Sequence, residues 1–256
     1  MKRILFVILS STLLLACSRN CNTIAKTTDP EKITFLSLDS LPITANFYNS
    51  GDNLPVIVLC HQAGLNKSEY IKIAETLTQK GYNCLAIDQR SGGHFVEWFN
   101  ETMLRAIEKG KSVDYLDAEQ DIVSAIDFAS RKYRQKVILW GSSYSAALAI
   151  HIAASNNNVD AVIAFSPGDY FNDKKSTLKD VFKDFRKPFF VTSSRDEAVE
   201  LSKTFDSIKL SDKQVHFVPK NKGVHGSRAL WRTSEDNAEY WTAVERFLDV
   251  LSNPKF

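Results

Sequence analysis

The sequence WGSSYS, residues 140–145, lies between the apolar run 137–139 and the small-residue stretch 146–150. This order predicts a strand, a sharp turn and then a helix. A serine on such a turn stands at the edge of a sheet, with the amide groups of a helix N-terminus behind it. A nucleophilic hydroxyl needs this exposed position close to N–H groups. Residues 140–145 are therefore a candidate catalytic turn, with Ser143 as the nucleophile.

Strands and helices alternate along most of the chain. Residues 33–38 and 43–48 are rich in β-forming side chains and predict a hairpin. Further strands are predicted from apolar runs at 56–60, 84–87, 137–140, 159–165, 189–192 and 214–218. Helices are predicted between and after them, at 68–79, 117–132, 144–154, 197–207 and 237–251. The pattern predicts an α/β fold whose central sheet has about eight strands, is mostly parallel and carries helices on both faces.

The composition is that of an ordinary folded protein and excludes a nucleic-acid binder. The chain has 256 residues, 44% of them hydrophobic and 24% charged, and its formal net charge is only +2. Basic residues do not cluster with aromatic ones, as they do on nucleic-acid-binding surfaces. We therefore predict a small-molecule partner and no nucleic-acid partner.

The N-terminus predicts export and a lipid anchor. Lys2 and Arg3 precede an apolar segment, residues 4–16, that is short for a membrane span and ends directly before Cys17. A small residue before cysteine, after leucines, resembles the bacterial lipoprotein processing box; an ordinary secretory signal is the alternative. The resemblance implies a signal peptide at 1–17 ending at lipidated Cys17, a flexible tether at 18–32 and a folded domain at 33–256. It also implies anchoring in the bacterial cell envelope, on the periplasmic face or in the outer membrane, which Ser18 favours.

The remaining cysteines predict neither a disulfide framework nor a metal site. Three cysteines remain, an odd number without paired spacing: Cys21, Cys60 and Cys84. Cys60 and Cys84 lie at or within apolar runs, where buried thiols are common. The chain shows no cysteine and histidine spacing typical of zinc ligands. We predict no metal and no cofactor.

A serine nucleophile needs a general base, most often histidine. Of the five histidines, His225 lies in a glycine-flanked loop, residues 222–226, after the last predicted strand. His151 falls within a predicted helix, His216 within a predicted strand, and His61 and His94 precede the nucleophile. His225 is therefore the predicted base.

The carboxylate that orients this base should lie between Ser143 and His225. Asp196 directly follows the predicted strand 189–192 and opens a helix, so it is the preferred candidate, with a role as helix N-cap only as the other interpretation. Glu197 and Asp169 are the alternatives.

The order Ser143, Asp196, His225, each after a successive strand, is similar to that of the α/β-hydrolase superfamily. The segment LCHQAG, residues 59–64, looks most like the dienelactone-hydrolase-like esterases, with the serine-peptidase branch nearby. The resemblance implies an oxyanion hole formed by the backbone amides of Gln62 and Tyr144. It also implies that His61 shapes the loop.

Further features of the same family can be compared with this chain. Asp88 and Arg90 resemble the family's Asp-x-Arg turn, where these side chains brace loops. The chain departs from the family at Ser145, where glycine is usual. Two long segments, 91–116 and 167–187, follow strand ends and carry aromatic residues, which suits either pocket walls or loops fastened to the core.

These features predict a membrane-anchored serine hydrolase that cleaves carboxylic esters of small to medium substrates through an acyl-enzyme. A serine peptidase or amidase of the same superfamily is the alternative within enzymes. A non-catalytic lipoprotein that retains the fold is the alternative of a different class.

Overall fold

The computed structural model describes residues 29–171 and 173–252. The predicted signal peptide with Cys17, and residues 18–28 of the predicted tether, lie outside the described residues. Among the described helices, none combines the length and the apolar character that crossing a bilayer requires.

The described residues form eight strands and seven α-helices, which alternate from the third strand onward except that two helices follow the fourth strand. The strands are β1 (Glu31–Leu36), β2 (Pro42–Tyr48), β3 (Val56–Cys60), β4 (Asn83–Ile87), β5 (Val137–Ser142), β6 (Val159–Phe165), β7 (Phe189–Thr192) and β8 (Gln214–Phe217). The helices are α1 (Ile71–Gln79), α2 (Glu101–Glu108), α3 (Ala118–Tyr133), α4 (Tyr144–Ser155), α5 (Leu178–Lys183), α6 (Arg195–Phe205) and α7 (Asn237–Ser252). Short 3-10 helices cover Lys67–Tyr70, Tyr115–Asp117 and Gly226–Leu230.

The strands form one sheet in the order β1-β2-β4-β3-β5-β6-β7-β8. β2 runs antiparallel to β1 and β4, and the remaining neighbours are parallel. The predicted hairpin and the mostly parallel eight-stranded sheet are therefore confirmed. Because parallel strands end at the same edge, the loops after β3, β5, β6, β7 and β8 share one rim of the sheet.

Helices cover both faces of the sheet, and each face has its own apolar core. Side chains of β3 alternate between the two cores: Val56, Val58 and Cys60 belong to one, and Ile57 and Leu59 to the other. The first core is covered by α3, α4, α5 and α6, and the second by α1 and α7. The continuous apolar runs seen in the sequence follow from this two-sided burial.

The structure corrects two boundaries. β1 begins at Glu31, inside the predicted tether, because Glu31 and Lys32 pair with Phe47 and Asn46 of β2. Glu31 and Lys32 are charged and exposed because they lie on an edge strand, where such residues are common. In the sequence they therefore look like part of the polar tether. The predicted helix at 68–79 becomes α-helical only at Ile71, after the 3-10 turn.

Candidate active site

Ser143 lies on a strained turn between β5 and α4. Its backbone has φ 59° and ψ −126°, a region that side-chain-bearing residues rarely adopt. The Ser143 amide donates to the carbonyl of Phe165 at 2.8 Å, which fastens the turn to the neighbouring strand β6. Strain of this kind persists where the surrounding structure enforces it and is concentrated at functional sites. The predicted strand–turn–helix arrangement around Ser143 is therefore present.

Gly141 makes this turn possible because α4 approaches β5 closely behind it. A Cβ atom at Gly141 would lie 2.4 Å from the carbonyl oxygen of Ser145 and 2.5 Å from the amide nitrogen of Ala146. Both are backbone atoms, so rotation of a side chain cannot relieve the contact.

We expect Gly141→Ala to lower the free energy of unfolding by about 3 kcal/mol, because the added methyl group must push the first turn of α4 away from β5. Denaturant unfolding followed by circular dichroism measures the change. Gly110→Ala is the control, because a Cβ there meets nothing within 4 Å and only its positive φ of 62° opposes the substitution. A Gly141→Ala protein as stable as the Gly110→Ala protein would contradict the steric explanation.

Ser145, found where the family usually has glycine, is accommodated by hydrogen bonds. Its side chain is fully buried, and its hydroxyl donates to the carbonyl of His61 at 2.6 Å. Gln89 donates its side-chain amide to the same hydroxyl. The departure from the family pattern thus ties the start of α4 to the loop after β3.

His225 lies after β8, directly before the 3-10 helix Gly226–Leu230, and its Nδ1 contacts Oε1 of Glu197. Its side chain is 42% exposed and so remains accessible from the rim of the sheet. A hydrogen bond from Nδ1–H to the carboxylate leaves Nε2 free to accept a proton, which is the tautomer a general base needs.

Glu197 is placed by the first turn of α6. Ser194 and Glu197 form a capping box, in which the Ser194 hydroxyl caps the amide of Glu197 and the Glu197 carboxylate accepts from the amide of Ser194 at 3.0 Å. This bend of the side chain brings its other oxygen to His225. Ser166 also donates to Glu197, at 2.7 Å. Burial raises the pKa of Glu197, but the hydrogen bonds from His225, Ser166 and Ser194 outweigh it and lower the pKa to about 2.

The carboxylate next to His225 is therefore Glu197, and not Asp196, which the sequence favoured. Asp196 is exposed on the outer side of the same helical turn. Asp169, the other alternative, instead accepts a hydrogen bond from the amide of Leu178 at 2.6 Å. The signal that the sequence analysis missed is the Ser-x-x-Glu spacing of Ser194 and Glu197, which is typical of a capping box and turns the glutamate back toward the loop.

The turn at Ser143 and the segment after His225 are both hydrogen-bonded to the end of β6. The Ser143 amide donates to the carbonyl of Phe165, and the hydroxyl of the next residue, Ser166, accepts from the amide of Gly226 at 2.9 Å. Among the described residues, no hydrogen bond joins the Ser143 hydroxyl to His225. Tyr170 lies near Ser143, and its hydroxyl donates to the carbonyl of Ser166 at 3.2 Å. Burial raises the pKa of Tyr170, and the nearby Ser143 hydroxyl opposes that rise.

The backbone amides differ from the predicted oxyanion hole in one position. Tyr144 is the first residue of α4 and no side chain caps this helix, so its amide remains available as a donor. The Gln62 amide, in contrast, donates to Oε2 of Glu69 at 2.8 Å. The next amide, that of Ala63, has no acceptor within the described part of the chain. The sequence located the loop, but the direction of each amide depends on backbone angles it does not reveal.

His61, Asp88 and Arg90 brace loops, as the resemblance implied. His61 is fully buried, and its Nδ1 lies 2.9 Å from the carbonyl of Gln62. Burial lowers the pKa of His61, which keeps the ring neutral. Asp88 pairs with Lys67 at 2.8 Å, and Arg90 pairs with Asp121 at 2.7 Å. These buried pairs connect the loops after β3 and β4 to the helices around them.

Both long segments border the site. Tyr115, from the segment 91–116, stacks on Tyr144 with ring centroids 4.6 Å apart. The segment 167–187 walls a cavity of about 500 Å³ that also reaches Glu197 and helix α6. Tyr170 lines this cavity and lies near Ser143. The segment 167–187 therefore forms a cavity wall near Ser143, whereas the segment 91–116 packs against Tyr144.

A family model described as "Serine aminopeptidase, S33" matches residues 51–241, which include the turn at Ser143, Glu197 and His225. The chain belongs to this family. Membership confirms the predicted placement among the serine hydrolases of the α/β-hydrolase superfamily.

One curated protein is similar to this chain in sequence, and several solved structures are similar to it in fold. The acyltransferase drtE of Aspergillus calidoustus is 29% identical over 157 residues, which are 59% of this chain and 48% of the relative. The chain thus spans about half the length of the curated relative it matches. The structure of an esterase from Pyrococcus furiosus has a TM-score of 0.67 at 15% identity, covering 90% of this chain and 92% of its own.

Two enzymes with other descriptions share the same fold. The acylaminoacyl peptidase of Pyrococcus horikoshii has a TM-score of 0.65 at 17% identity, covering 88% of this chain and 42% of its own. A protein of Klebsiella pneumoniae described as a dienelactone hydrolase has a TM-score of 0.60 at 15% identity, covering 86% of this chain and 99% of its own. At these identities the likeness concerns the fold, which is the predicted α/β-hydrolase fold.

Proposed function

We propose that the protein is a membrane-anchored carboxylesterase that uses Ser143, His225 and Glu197 as a catalytic triad. The observation that carries this proposal is the pair formed by His225 and Glu197 beside a serine held on a strained turn. A neutral imidazole oriented by a carboxylate is the arrangement that makes a serine hydroxyl nucleophilic.

In the proposed reaction, Ser143 Oγ attacks the carbonyl carbon of an ester while Nε2 of His225 takes the hydroxyl proton. Glu197 stabilises the imidazolium that forms and holds its orientation. The tetrahedral intermediate then expels the alcohol, which receives the proton from His225, and an acyl-serine remains. A water molecule repeats the sequence on the acyl-serine and releases the carboxylic acid.

The Ser143 hydroxyl must turn to His225 for this reaction, since no hydrogen bond joins the two among the described residues. Hydrogen bonds between catalytic residues are often long or absent until a substrate is bound. We propose that substrate entry moves Tyr170 away from Ser143, because the acyl group occupies the cavity that Tyr170 lines.

The developing oxyanion is proposed to accept hydrogen bonds from the Tyr144 and Ala63 amides. The Gln62 amide, named by the family resemblance, is engaged by Glu69 and so supports the loop instead. Two preorganised N–H donors at this position would stabilise the negative charge more strongly in the transition state than in the substrate.

The proposed substrates are small to medium acyl esters. The cavity of about 500 Å³ lined by Tyr170 and Glu197 falls within the size range of small-molecule sites. Anchoring through Cys17 in the bacterial cell envelope, on the periplasmic face or in the outer membrane, remains a proposal carried by the residues at 2–17.

A peptidase acting on short peptides is the second candidate, because the matching family is described as a serine aminopeptidase. Both candidates use the same acyl-enzyme and differ in the leaving group, which is an alcohol for esters and an amine for peptides.

We expect the protein to hydrolyse p-nitrophenyl acyl esters faster than aminoacyl p-nitroanilides. The ester's leaving group departs as a stabilised anion, whereas an amine must be protonated by His225 as it leaves. Measuring kcat/KM for both substrate series, with acyl chains of increasing length, tests the expectation. Faster cleavage of the anilides would assign the peptidase activity instead, and cleavage of neither series would favour the non-catalytic alternative.

A further inference from the structure

Glu69 is a buried carboxylate that the proposed chemistry does not use. It lies in the 3-10 helix Lys67–Tyr70 after β3, and only 1% of its surface is exposed. Its own carbonyl accepts from the indole of Trp231 at 3.0 Å, which fixes the backbone as well as the side chain. Burying an ionisable group costs free energy of folding, because water no longer stabilises its charge.

Both oxygens of the Glu69 carboxylate are engaged by different elements. Oε2 accepts from the amide of Gln62 at 2.8 Å, and Oε1 accepts from the hydroxyl of Ser142 at 2.8 Å. The Ser142 hydroxyl in turn accepts from the amide of Ser227 at 2.9 Å. One carboxylate thus connects the loop after β3, the residue directly before the nucleophile and the segment directly after His225.

We propose that Glu69 is a positioning residue, whose carboxylate sets the relative placement of the oxyanion loop, the Ser143 turn and the His225 loop. The effect of Glu69 on kinetics rests on the proposed function. The hydrogen bonds of Glu69 are present in the structure independently of which reaction the protein catalyses. Glu69 touches no reacting atom and acts through Gln62 and Ser142.

Ionisation controls this connection. A carboxylate accepts at both oxygens, whereas a carboxylic acid has one oxygen that donates, so one of the two bonds weakens on protonation. Burial raises the pKa of Glu69 to about 7, although the hydrogen bonds from Gln62 and Ser142 and the nearby charges of Arg228 and His225 oppose the rise. The connection is therefore complete above neutral pH, and one of its two hydrogen bonds weakens as the pH falls through about 7.

The groups around Glu69 come from four elements. Arg228 and His225 face it from the segment after β8, and Tyr70 adjoins it within the 3-10 helix. His61 lies on the loop after β3 and contacts Gln62. Ser142, the contact from β5, is uncharged. Of these groups, His225 also takes part in the proposed reaction.

Glu69→Gln tests the inference because it keeps the shape of the side chain and removes the charge. We expect kcat to fall on the order of tenfold with little change in KM, since small displacements of reacting groups slow catalysis without weakening binding. The acidic limb of kcat/KM should also change. As the pH falls through about 7, the unmodified protein should lose the activity that depends on ionised Glu69, and Glu69→Gln should lack this step.

Two further variants separate positioning from general damage. Glu75→Gln, in the adjacent helix, removes a partly exposed carboxylate paired with Lys72 and should leave kcat and the pH profile unchanged. Ser142→Ala keeps the charge of Glu69 but cuts its connection to Ser227. Because Glu69 and Ser142 act in one chain of bonds, the double variant should lose no more activity than the more damaged single variant. Strictly additive losses, or an unchanged acidic limb in Glu69→Gln, would overturn the proposal.

A measurement without substrate keeps this inference distinct from the proposed function. The amide resonances of Gln62 and Ser227 in the full chain should both shift with pH, with a midpoint near 7. This titration should vanish in Glu69→Gln and persist in Glu75→Gln. Amides that do not titrate, or that titrate equally in Glu69→Gln, would overturn the role of Glu69 even in an active esterase. Titrating amides in a protein without esterase activity would support it while the proposed function fails.

Discussion

Replacing Ser143 with alanine is expected to lower turnover of p-nitrophenyl esters by about 10⁶, the loss typical when the nucleophile of a serine triad is removed. The hydroxyl forms the covalent bond to the acyl group, and no neighbouring side chain can take its place on the turn. Ser142 is directed to Glu69, and Ser145 to the carbonyl of His61. Labelling with a fluorophosphonate probe should be abolished together with turnover, because the probe reacts with the same oxygen.

The matched control for this experiment is Ser155→Ala, an exposed serine at the other end of the same helix, α4. It should label and turn over substrate like the unmodified protein. Circular dichroism should show that Ser143→Ala is folded, since the change removes one hydroxyl and leaves the hydrogen bond from the Ser143 amide to Phe165 in place. Near-normal turnover by a folded Ser143→Ala protein would exclude Ser143 as the nucleophile.

Much of the fold could be predicted because two-sided burial leaves a strong mark on a sequence. Strands β3 and β7 are buried along their whole length and are mostly apolar, and the alternating helices require a parallel sheet. The turn at Ser143 could also be predicted, since glycine at 141 is needed where α4 approaches β5. Edge strand β1 was recognised but not its start, because exposed Glu31 and Lys32 carry no apolar pattern.

The parts of the site that were not predicted depend on local backbone direction. Whether Asp196 or Glu197 reaches His225 depends on which side of the first turn of α6 faces the rim. Whether the Gln62 or the Ala63 amide points into the site depends on the path of a loop that Glu69 holds in place. The sequence identifies the chemical groups that are available. Successive residues of a helix point roughly 100° apart, so the orientation of the helix decides which side chain reaches a given neighbour.

Replacing Glu197 with glutamine is expected to lower kcat by about 10⁴, whereas Asp196→Asn should leave it unchanged. Glutamine offers an amide N–H where the carboxylate accepted from His225, so the imidazole is favoured in the wrong tautomer and its positive charge loses its partner. Because hydrogen bonds hold the pKa of Glu197 at about 2, the carboxylate is ionised throughout the range in which esters can be assayed. The loss in Glu197→Gln should therefore be present at every pH tested.

Because Glu197 belongs to the capping box, replacing it lowers the stability of the protein as well as its activity. A third variant separates the two effects. Ser194→Ala removes the hydroxyl that caps the Glu197 amide, which should cost about 1 kcal/mol of stability, but leaves the carboxylate beside His225. Its kcat should stay within a small factor of that of the unmodified protein. A large loss of kcat in Asp196→Asn with none in Glu197→Gln would restore the acid that the sequence favoured. Equal losses of kcat in Glu197→Gln and Ser194→Ala would show that catalysis needs the helix cap and not the carboxylate beside His225.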